Sequence, residues 1–410
     1  MKKIPTLALC LGLGVLGGCA SNQSLDELPP MPAAEPSVDD VNLANGMDEP
    51  IPLESTPNEP NQNNDLWERL RKGYGLDLTV ENDRIRVQRD WYARHPQYFT
   101  RVTTRSERYL HYIIEQAEAR NMPLELALLP IVESAFDPFA YSHGRAAGPW
   151  QFIPSTGDYF GMKRTWWEDQ RRDILKSTNA ALDYLQKLSN RFDGDWLLAL
   201  ASYNAGGGTV SRAIRRNEEA GRPTDFWHLD LPRETTAYVP KLLAIAQIVK
   251  APETYGVTLH PIQNEAYFST VETGGQIDLT QAARLADISV EELYLLNPSF
   301  NRWATSPDGP HRLLVPVDRE ERFRTGLAEL PEGQRMQWAR YEIRPGDNLG
   351  AIARKHRTTP QVLRSINKLN GNTIIAGRTL LIPGPSSGKG DYSLSEEARL
   401  AANQPRERKG

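Results

Sequence analysis

The chain has 410 residues, 39% of them hydrophobic, and a formal net charge of −4. That length leaves room for two or three domains with real cores. The mildly acidic balance excludes a nucleic-acid protein, which needs a strong positive excess to track phosphates.

Lys2 and Lys3 precede an apolar stretch over residues 7–15, which includes Cys10 and closes in Leu16-Gly17-Gly18-Cys19. The stretch is too short to span a bilayer and ends in small residues, so residues 1–18 read as a secretory signal. Leu-Gly-Gly-Cys resembles the lipobox of bacterial lipoproteins, which implies cleavage before Cys19 and acylation of its thiol. The chain has only two cysteines. Cys10 leaves with the signal, so Cys19 keeps no disulfide partner. Several acyl chains on one residue hold a membrane durably. Ala20 and Ser21 lack the aspartate of an inner-membrane retention signal. The expected location is therefore the periplasmic face of the outer membrane, with the membrane engaged through the lipid. An ordinary cleaved signal with a spare cysteine is the alternative.

Residues 19–64 are rich in Pro, Asn, Asp, Glu and Ser. They cannot bury enough apolar surface to offset chain entropy, and read as a disordered tether behind the lipidated cysteine.

From Leu66-Trp67 onward the apolar spacing is helical. Tyr109-Leu110, Ile113-Ile114 and Ala117 recur every three to four positions, as do Ala181-Leu182, Leu185 and Leu188, then Leu242-Leu243, Ala246 and Val249. No convincing alternating strand interrupts them. The pattern predicts a helical extension over residues 65–108 and an all-α domain over 109–260. Arg171-Arg172 reads as a solvated helix face.

The densest chemistry starts at Glu133, in ESAFDPFAYSHGRAAGPWQ. Glu133 follows an apolar run over residues 124–132, which puts its carboxyl near a helix end against hydrophobic neighbours. Desolvation there disfavours the charged form and raises the pKa, as a general acid near neutrality requires. Gly144 and Gly148 would let the backbone approach a ligand, and Trp150 offers a surface on which sugars stack. Taken alone, a glutamate is more often solvated or salt-bridged.

Three ordered blocks resemble the lytic transglycosylases with a goose-lysozyme-like fold: Glu133-Ser134 through Gly148-Pro149-Trp150-Gln151, Ser202-Tyr203-Asn204-Ala205-Gly206-Gly207, and Glu234-Thr235-Thr236-Ala237-Tyr238-Val239. The resemblance covers roughly residues 110–250 and implies a lysozyme-like catalytic domain acting on peptidoglycan glycan strands. It implies that Glu133 is the acid and later the base. Ser142 and Gln151 would line the sugar cleft, Tyr203 and Asn204 would sit beside the glutamate, and Glu234 and Tyr238 would close the far wall. Pro149 stands where the family more often has an aliphatic residue. Common glycosidases need two carboxylates, and the blocks offer no obvious second one. The resemblance instead implies attack by the C6 hydroxyl of MurNAc, giving 1,6-anhydro-MurNAc ends. No cofactor or metal is expected, since the histidines show no ligand spacing and His143 reads as a loop residue. Other roles for this site are a hydrolase delivering water, or a degenerate, non-catalytic wall-binding lipoprotein.

After His260 an internal repeat appears. Residues 279–297 and 349–367 align seventy positions apart, pairing Leu279 with Leu349, Ala283 with Ala353, Leu293 with Leu363 and Asn297 with Asn367. Each copy ends in an apolar strand before proline, so each reads strand, helix, helix, strand. Residues 339–384 resemble a LysM domain, with Tyr341-Glu342-Ile343, the Pro345-Gly346-Asp347 turn, Asn367 and Leu380-Leu381-Ile382-Pro383 in place. The resemblance implies a shallow glycan groove with Gly346, Asp347, Asn348 and Leu349 on one side and Asn370, Asn372 and Ile374 on the other. Asn348 replaces the family's usual Thr or Ser. The copy at 265–320 lacks the Pro-Gly-Asp turn, carries a longer loop at 299–311, and reads as a degenerate LysM, either glycan-binding or a spacer. Residues 385–410 are Gly/Ser-rich and charged and read as a disordered tail. The expected architecture is multidomain: an all-α catalytic domain, then small α+β LysM modules. Nothing in the sequence calls for an oligomer, so a monomer is expected.

Overall fold

The computed structural model describes residues 64–336, 338–356, 358–384 and 392–402. The expected signal peptide, Cys19 and nearly all of the expected tether lie outside the described residues. Ten α-helices form the first body: α1 Leu66–Lys72, α2 Asp83–Ala93, α3 Pro96–Ser106, α4 Leu110–Glu118, α5 Leu129–Ser134, α6 Pro154–Tyr159, α7 Ile174–Arg191, α8 Trp196–Ala205, α9 Gly207–Glu219 and α10 Arg233–Lys250. Local chemistry sets several starts. Asp65, Asn82, Asp173 and Asp195 each stand at an N-cap and accept from a backbone N–H of the first turn. Gly206 (φ 83°) makes the sharp break between α8 and α9.

α8 and α10 form the hub. α10 packs against α2 and α8, and α8 also packs against α7 and α9. Both hub helices are apolar nearly all round, as buried helices are. Along α10, Val239, Leu242, Leu243, Ala244, Ile245, Ala246, Ile248 and Val249 are all buried. At roughly 2 kcal/mol for each large aliphatic side chain removed from water, its Val239, Leu242, Leu243, Ile245, Ile248 and Val249 together contribute on the order of 12 kcal/mol.

Two βααβ units follow, as the repeat predicts. The first contains β1 Phe268–Glu272, α11 Leu279–Ala286, α12 Val290–Leu296 and β2 Arg312–Pro316, with β1 antiparallel to β2 and Thr270 opposite Leu314. A further helix, α13 Glu320–Glu329, packs on α11. The second contains β3 Trp338–Glu342, α14 Leu349–Lys355, α15 Pro360–Asn367 and β4 Thr379–Pro383, again antiparallel, with Arg340 opposite Leu381. Each unit is locked by one asparagine. The Asn297 amide donates to the carbonyls of Leu293 and Leu314 (2.9 and 2.8 Å) and accepts from the Leu314 N–H (2.8 Å). Asn367 does the same with Leu363 and Leu381 (2.9, 2.9 and 2.7 Å). In both, one side chain satisfies the end of the second helix and the edge of the closing strand together.

The first unit is joined to the helical body. Asp169 N–H donates to the Ser299 carbonyl (2.8 Å) and Asn301 N–H to that of Trp167 (2.8 Å). Arg312 pairs with Asp173 (2.9 Å), and Arg108 forms a two-pronged pair with Glu292 (2.6 Å). The loop that would border a glycan groove is thereby spent on this joint. On its other side, Leu279 N–H donates to the Trp303 carbonyl (2.7 Å) and Ile277 N–H to the Thr305 hydroxyl (3.0 Å). The two rims of the first copy are therefore bonded to each other. Trp166, Trp303 and Trp338 gather around buried Trp167, Met336 and Val362 where the second unit meets the first.

Three expectations are corrected. Part of the tail is folded: Tyr392 and Leu394 are buried, and α16 Glu396–Ala402 follows them. The Tyr392 hydroxyl donates to Asp278 (3.0 Å), and Glu396 N–H to the Asn301 carbonyl (2.9 Å). The few apolar residues in a charged stretch sufficed once a ready-made surface was present. Arg171 and Arg172 are not on a solvated face but 3% and 5% exposed. Trp150 is fully buried, its Nε1 donating to Thr178 (3.0 Å), so it supports the core and offers no sugar platform.

Candidate active site

Glu133 is the next-to-last residue of α5, a six-residue helix whose every side chain is buried. The chain ends that helix with two consecutive left-handed residues, Ala135 (φ 51°) and Phe136 (φ 55°), neither of them glycine. Such backbone costs energy and persists only where its surroundings impose it. Here Ala135 and Phe136 donate to the Ile131 and Pro130 carbonyls. Ser134 holds the turn, its hydroxyl lying 3.1 Å from the Pro130 carbonyl and 3.0 Å from that of Pro149. The glutamate is thus fixed relative to the 140–151 loop.

The Glu133 side chain is 1% exposed. Tyr238 on α10 donates its hydroxyl to Oε1, while Oε2 is buried with no protein partner. Burial pushes the carboxyl up to about 8, against the opposing pull of the Tyr238 bond, and negative Glu234 adds to the rise. Glu133 therefore carries a proton at neutral pH.

Tyr203 is fully buried on α8, and its hydroxyl donates to the Trp150 carbonyl (3.1 Å). Asn204, next along, accepts from the Thr235 hydroxyl (2.7 Å), tying α8 to the start of α10. Glu234 and Tyr238 stand four apart on α10, hence on one face. Glu234 is half-buried, with Oε1 lacking a protein partner. Gln151 adopts φ 49°, and its amide donates to the carbonyls of Gly148 (2.8 Å) and Ala140 (3.3 Å), leaving Oε1 buried and unmatched. Buried polar atoms without partners are uncommon because each costs about 1–3 kcal/mol. Glu133, Gln151, Glu234 and Ser202 each leave one such atom. Ser142 sits half-buried in the loop, its hydroxyl accepting from Ala146 N–H (3.1 Å). His143 is exposed beside it.

Two supports escaped the sequence reading. Arg171, paired with Asp169 (2.6 Å), donates to the carbonyls of Arg145 (2.6 Å) and Phe152 (2.9 Å), stapling the middle of the 140–151 loop to the residue that follows it. Gly148 (φ 83°) packs so closely that a Cβ there would lie 2.4 Å from the Arg171 carbonyl. The backbone there is pressed against Arg171, which leaves no room for a side chain. A double arginine in sequence carries no sign of whether it faces water or a loop's carbonyls.

Among the residues expected to border the second module's groove, Gly346 takes φ 87°. Asp347 accepts from the Tyr341 hydroxyl (2.9 Å) and Arg344 N–H (2.8 Å), locking the turn. Asn348 caps α14 through Ala351 N–H (2.8 Å). The Leu349 side chain lies in the module core, so only its backbone remains for a groove. Asn370 and Asn372 are exposed, Asn372 accepting from Arg364, and Ile374 is half-buried. Among the described residues, no group of His, Cys, Asp and Glu could hold a metal, and no helix is long and apolar enough to cross a membrane.

The Transglycosylase SLT domain family matches residues 111–226, the family described as the LysM-like domain of lytic transglycosylase MltD matches 267–332, and the LysM domain family matches 341–383. The chain is 40% identical over 336 residues to membrane-bound lytic murein transglycosylase D of Escherichia coli, across 79% of this chain and 74% of that one. It is 31% identical over 143 residues to membrane-bound lytic murein transglycosylase F of Desulfosudis oleivorans, across 33% and 30% of the two chains. Among solved structures, the lytic transglycosylase Slt of Pseudomonas aeruginosa is 23% identical with a TM-score of 0.27, over 36% of this chain and 24% of that one.

Proposed function

The chain belongs to the family of membrane-bound lytic murein transglycosylase D, and on that premise we propose that it cleaves the β-1,4 bond between MurNAc and GlcNAc in peptidoglycan with Glu133 as its one acid/base catalyst. The observation that carries this reading is the state of Glu133: buried, protonated at neutral pH, held by Tyr238 through one oxygen and free at the other. Such a group donates a proton to the glycosidic oxygen. The MurNAc N-acetyl carbonyl stabilises the cationic centre that follows. The resulting Glu133 carboxylate, stabilised by Tyr238, then takes the proton of the C6 hydroxyl as that oxygen attacks the anomeric carbon.

No water is consumed, and the product ends are 1,6-anhydro-MurNAc. Holding the C6 hydroxyl at hand exploits the high effective concentration of intramolecular reactions. Gln151, Tyr203, Asn204, Ser142 and Glu234 form the cleft around this chemistry. The second LysM module binds glycan weakly, raising local substrate concentration. Acylated Cys19 and the tether hold the enzyme at the outer membrane as a monomer, where it remodels the wall.

Mass spectrometry of purified peptidoglycan digested by the mature protein tests the reading. Muropeptides about 18 mass units lighter than their hydrolysed counterparts, with none from Glu133→Gln, are expected, since that mutant lacks the acid. Reducing ends would assign a hydrolase to the same glutamate, and intact activity in Glu133→Gln would refute the single-acid mechanism.

A further inference from the structure

Beside the 140–151 loop lie two guanidinium groups with no carboxylate of their own, one buried and one half-buried. Arg172 is 5% exposed, donates from Nη1 to Asn301 (3.1 Å), and has no partner at Nε. Arg399, on α16 of the folded tail, donates from Nε to the Leu394 carbonyl (3.0 Å) and leaves Nη2 buried and unmatched. Its guanidinium lies over the ring of Phe139, 4.5 Å from the centroid. The two arginines repel each other: burial first, and then Arg172, lower Arg399 to about 10. Burial also lowers Arg172, with Arg171 adding to the effect.

Three acids stand in electrostatic range, each engaged elsewhere. Asp169 is taken by Arg171 (2.6 Å), Glu396 by Arg302 (2.9 Å), and Asp137 accepts from Phe139 N–H (2.8 Å). A positive charge taken from water without a hydrogen-bonded anion is expensive, so two of them side by side require a reason. Their position supplies one. Phe139 and Tyr141 flank Ala140, whose carbonyl accepts from Gly148 and Gln151. Tyr141, 58% exposed, lies in electrostatic range of Arg172.

We propose that Arg172 and Arg399, with Tyr141 at the rim, form a carboxylate site that takes the stem peptide of the substrate. The inference rests on peptidoglycan being that substrate. The sugars offer neutral hydroxyls and amides, which cannot compensate two cations, whereas the peptides carry free carboxylates. A planar guanidinium fork matches a carboxylate with two parallel hydrogen bonds. On this reading the C-terminal segment completes a subsite of the enzyme and selects peptide-bearing strands.

Calorimetric titration of the full chain carrying Glu133→Gln with a free, unamidated stem tripeptide tests the site without requiring turnover. Saturable binding that weakens at least tenfold on adding Arg399→Ala, and recovers in part with Arg399→Lys, is expected. No binding, or equal affinity in all three proteins, would overturn it. The rate on peptide-bearing strands, divided by that on strands whose peptide carboxyl groups have been converted to amides, should also be at least tenfold lower in Arg399→Ala than in the wild type, and an unchanged ratio counts against the site. Circular dichroism before titration separates lost binding from lost folding, and Arg172→Gln then serves as the second probe. Failure to cut either strand would refute the proposed function and leave the peptide titration to decide the site.

Discussion

Tyr238 and Glu133, 105 positions apart in sequence, share one buried hydrogen bond that joins α10 to the end of α5. Because the phenol donates, the bond favours the carboxylate and opposes the desolvation that favours the acid. The glutamate is thereby poised to release a proton and take one back. Replacing Tyr238 by Phe removes the opposing pull. The alkaline limb of the pH–rate profile should move to higher pH, and the rate should fall roughly tenfold to a hundredfold through lost orientation. A profile that stays put would show that the phenol does not tune the acid.

Glu133→Gln keeps shape and burial but carries no transferable proton. Muropeptide release should drop at least about 10³-fold, within the range of general acid–base contributions. The melting temperature should hold or rise, because a neutral amide replaces a poorly solvated acid.

The raised pKa has two pH signatures. The acid form is lost as pH passes about 8, so activity should decline above that point. For stability, the folded state holds the proton up to about 8 and the unfolded chain only to about 4.5. Between those values the folded state binds more protons. The contribution is therefore complete below 4.5 and lost as pH climbs towards 8. Urea midpoints measured across that window should show a downward slope that Glu133→Gln reduces.

Gly148→Ala should cripple the enzyme although the residue touches no catalytic group. The added methyl meets the Arg171 carbonyl at 2.4 Å, and the φ of +83° is itself unfavourable for alanine. A loss of several kcal/mol, or insoluble protein, is expected from overpacking and backbone strain together. Near-native melting would show that the staple gives way cheaply.

Asn297→Ala and Asn367→Ala each delete three hydrogen bonds at equivalent places. At about 1 kcal/mol net per bond, each should cost roughly 3 kcal/mol. Asn367→Ala should loosen only the second module, seen as fast amide exchange in β4. Asn297→Ala should also lower the melting of the helical body, which is bonded to the first unit. Identical, local effects from both would deny the joint.

Helical spacing, the βααβ repeat and the glutamate beside an apolar run were all legible in the sequence, because periodicity and neighbours along the chain determine them. What sequence could not convey was the company each residue keeps. Trp150 could serve a surface platform or a core, and Arg171 is of a type usually left in water; only the packing of α7 and the 169–173 turn buries them. The Ser134 hydroxyl reaches a carbonyl fifteen residues away, a contact no local pattern announces. The folded tail was hidden for a related reason: Tyr392 and Leu394 are too few to build a core but enough to dock on one.

The asparagine clip separates what a LysM-like unit must keep from what it is free to lose. Since one amide fastens helix to strand from within, the exposed positions of the flanking loops are left to other tasks. In the first copy they have become a permanent weld to a neighbour, and in the second they remain open to whatever fits. Swapping the open loops for those of another glycan specificity should therefore leave the scaffold standing, whereas the welded ones are no longer exchangeable parts.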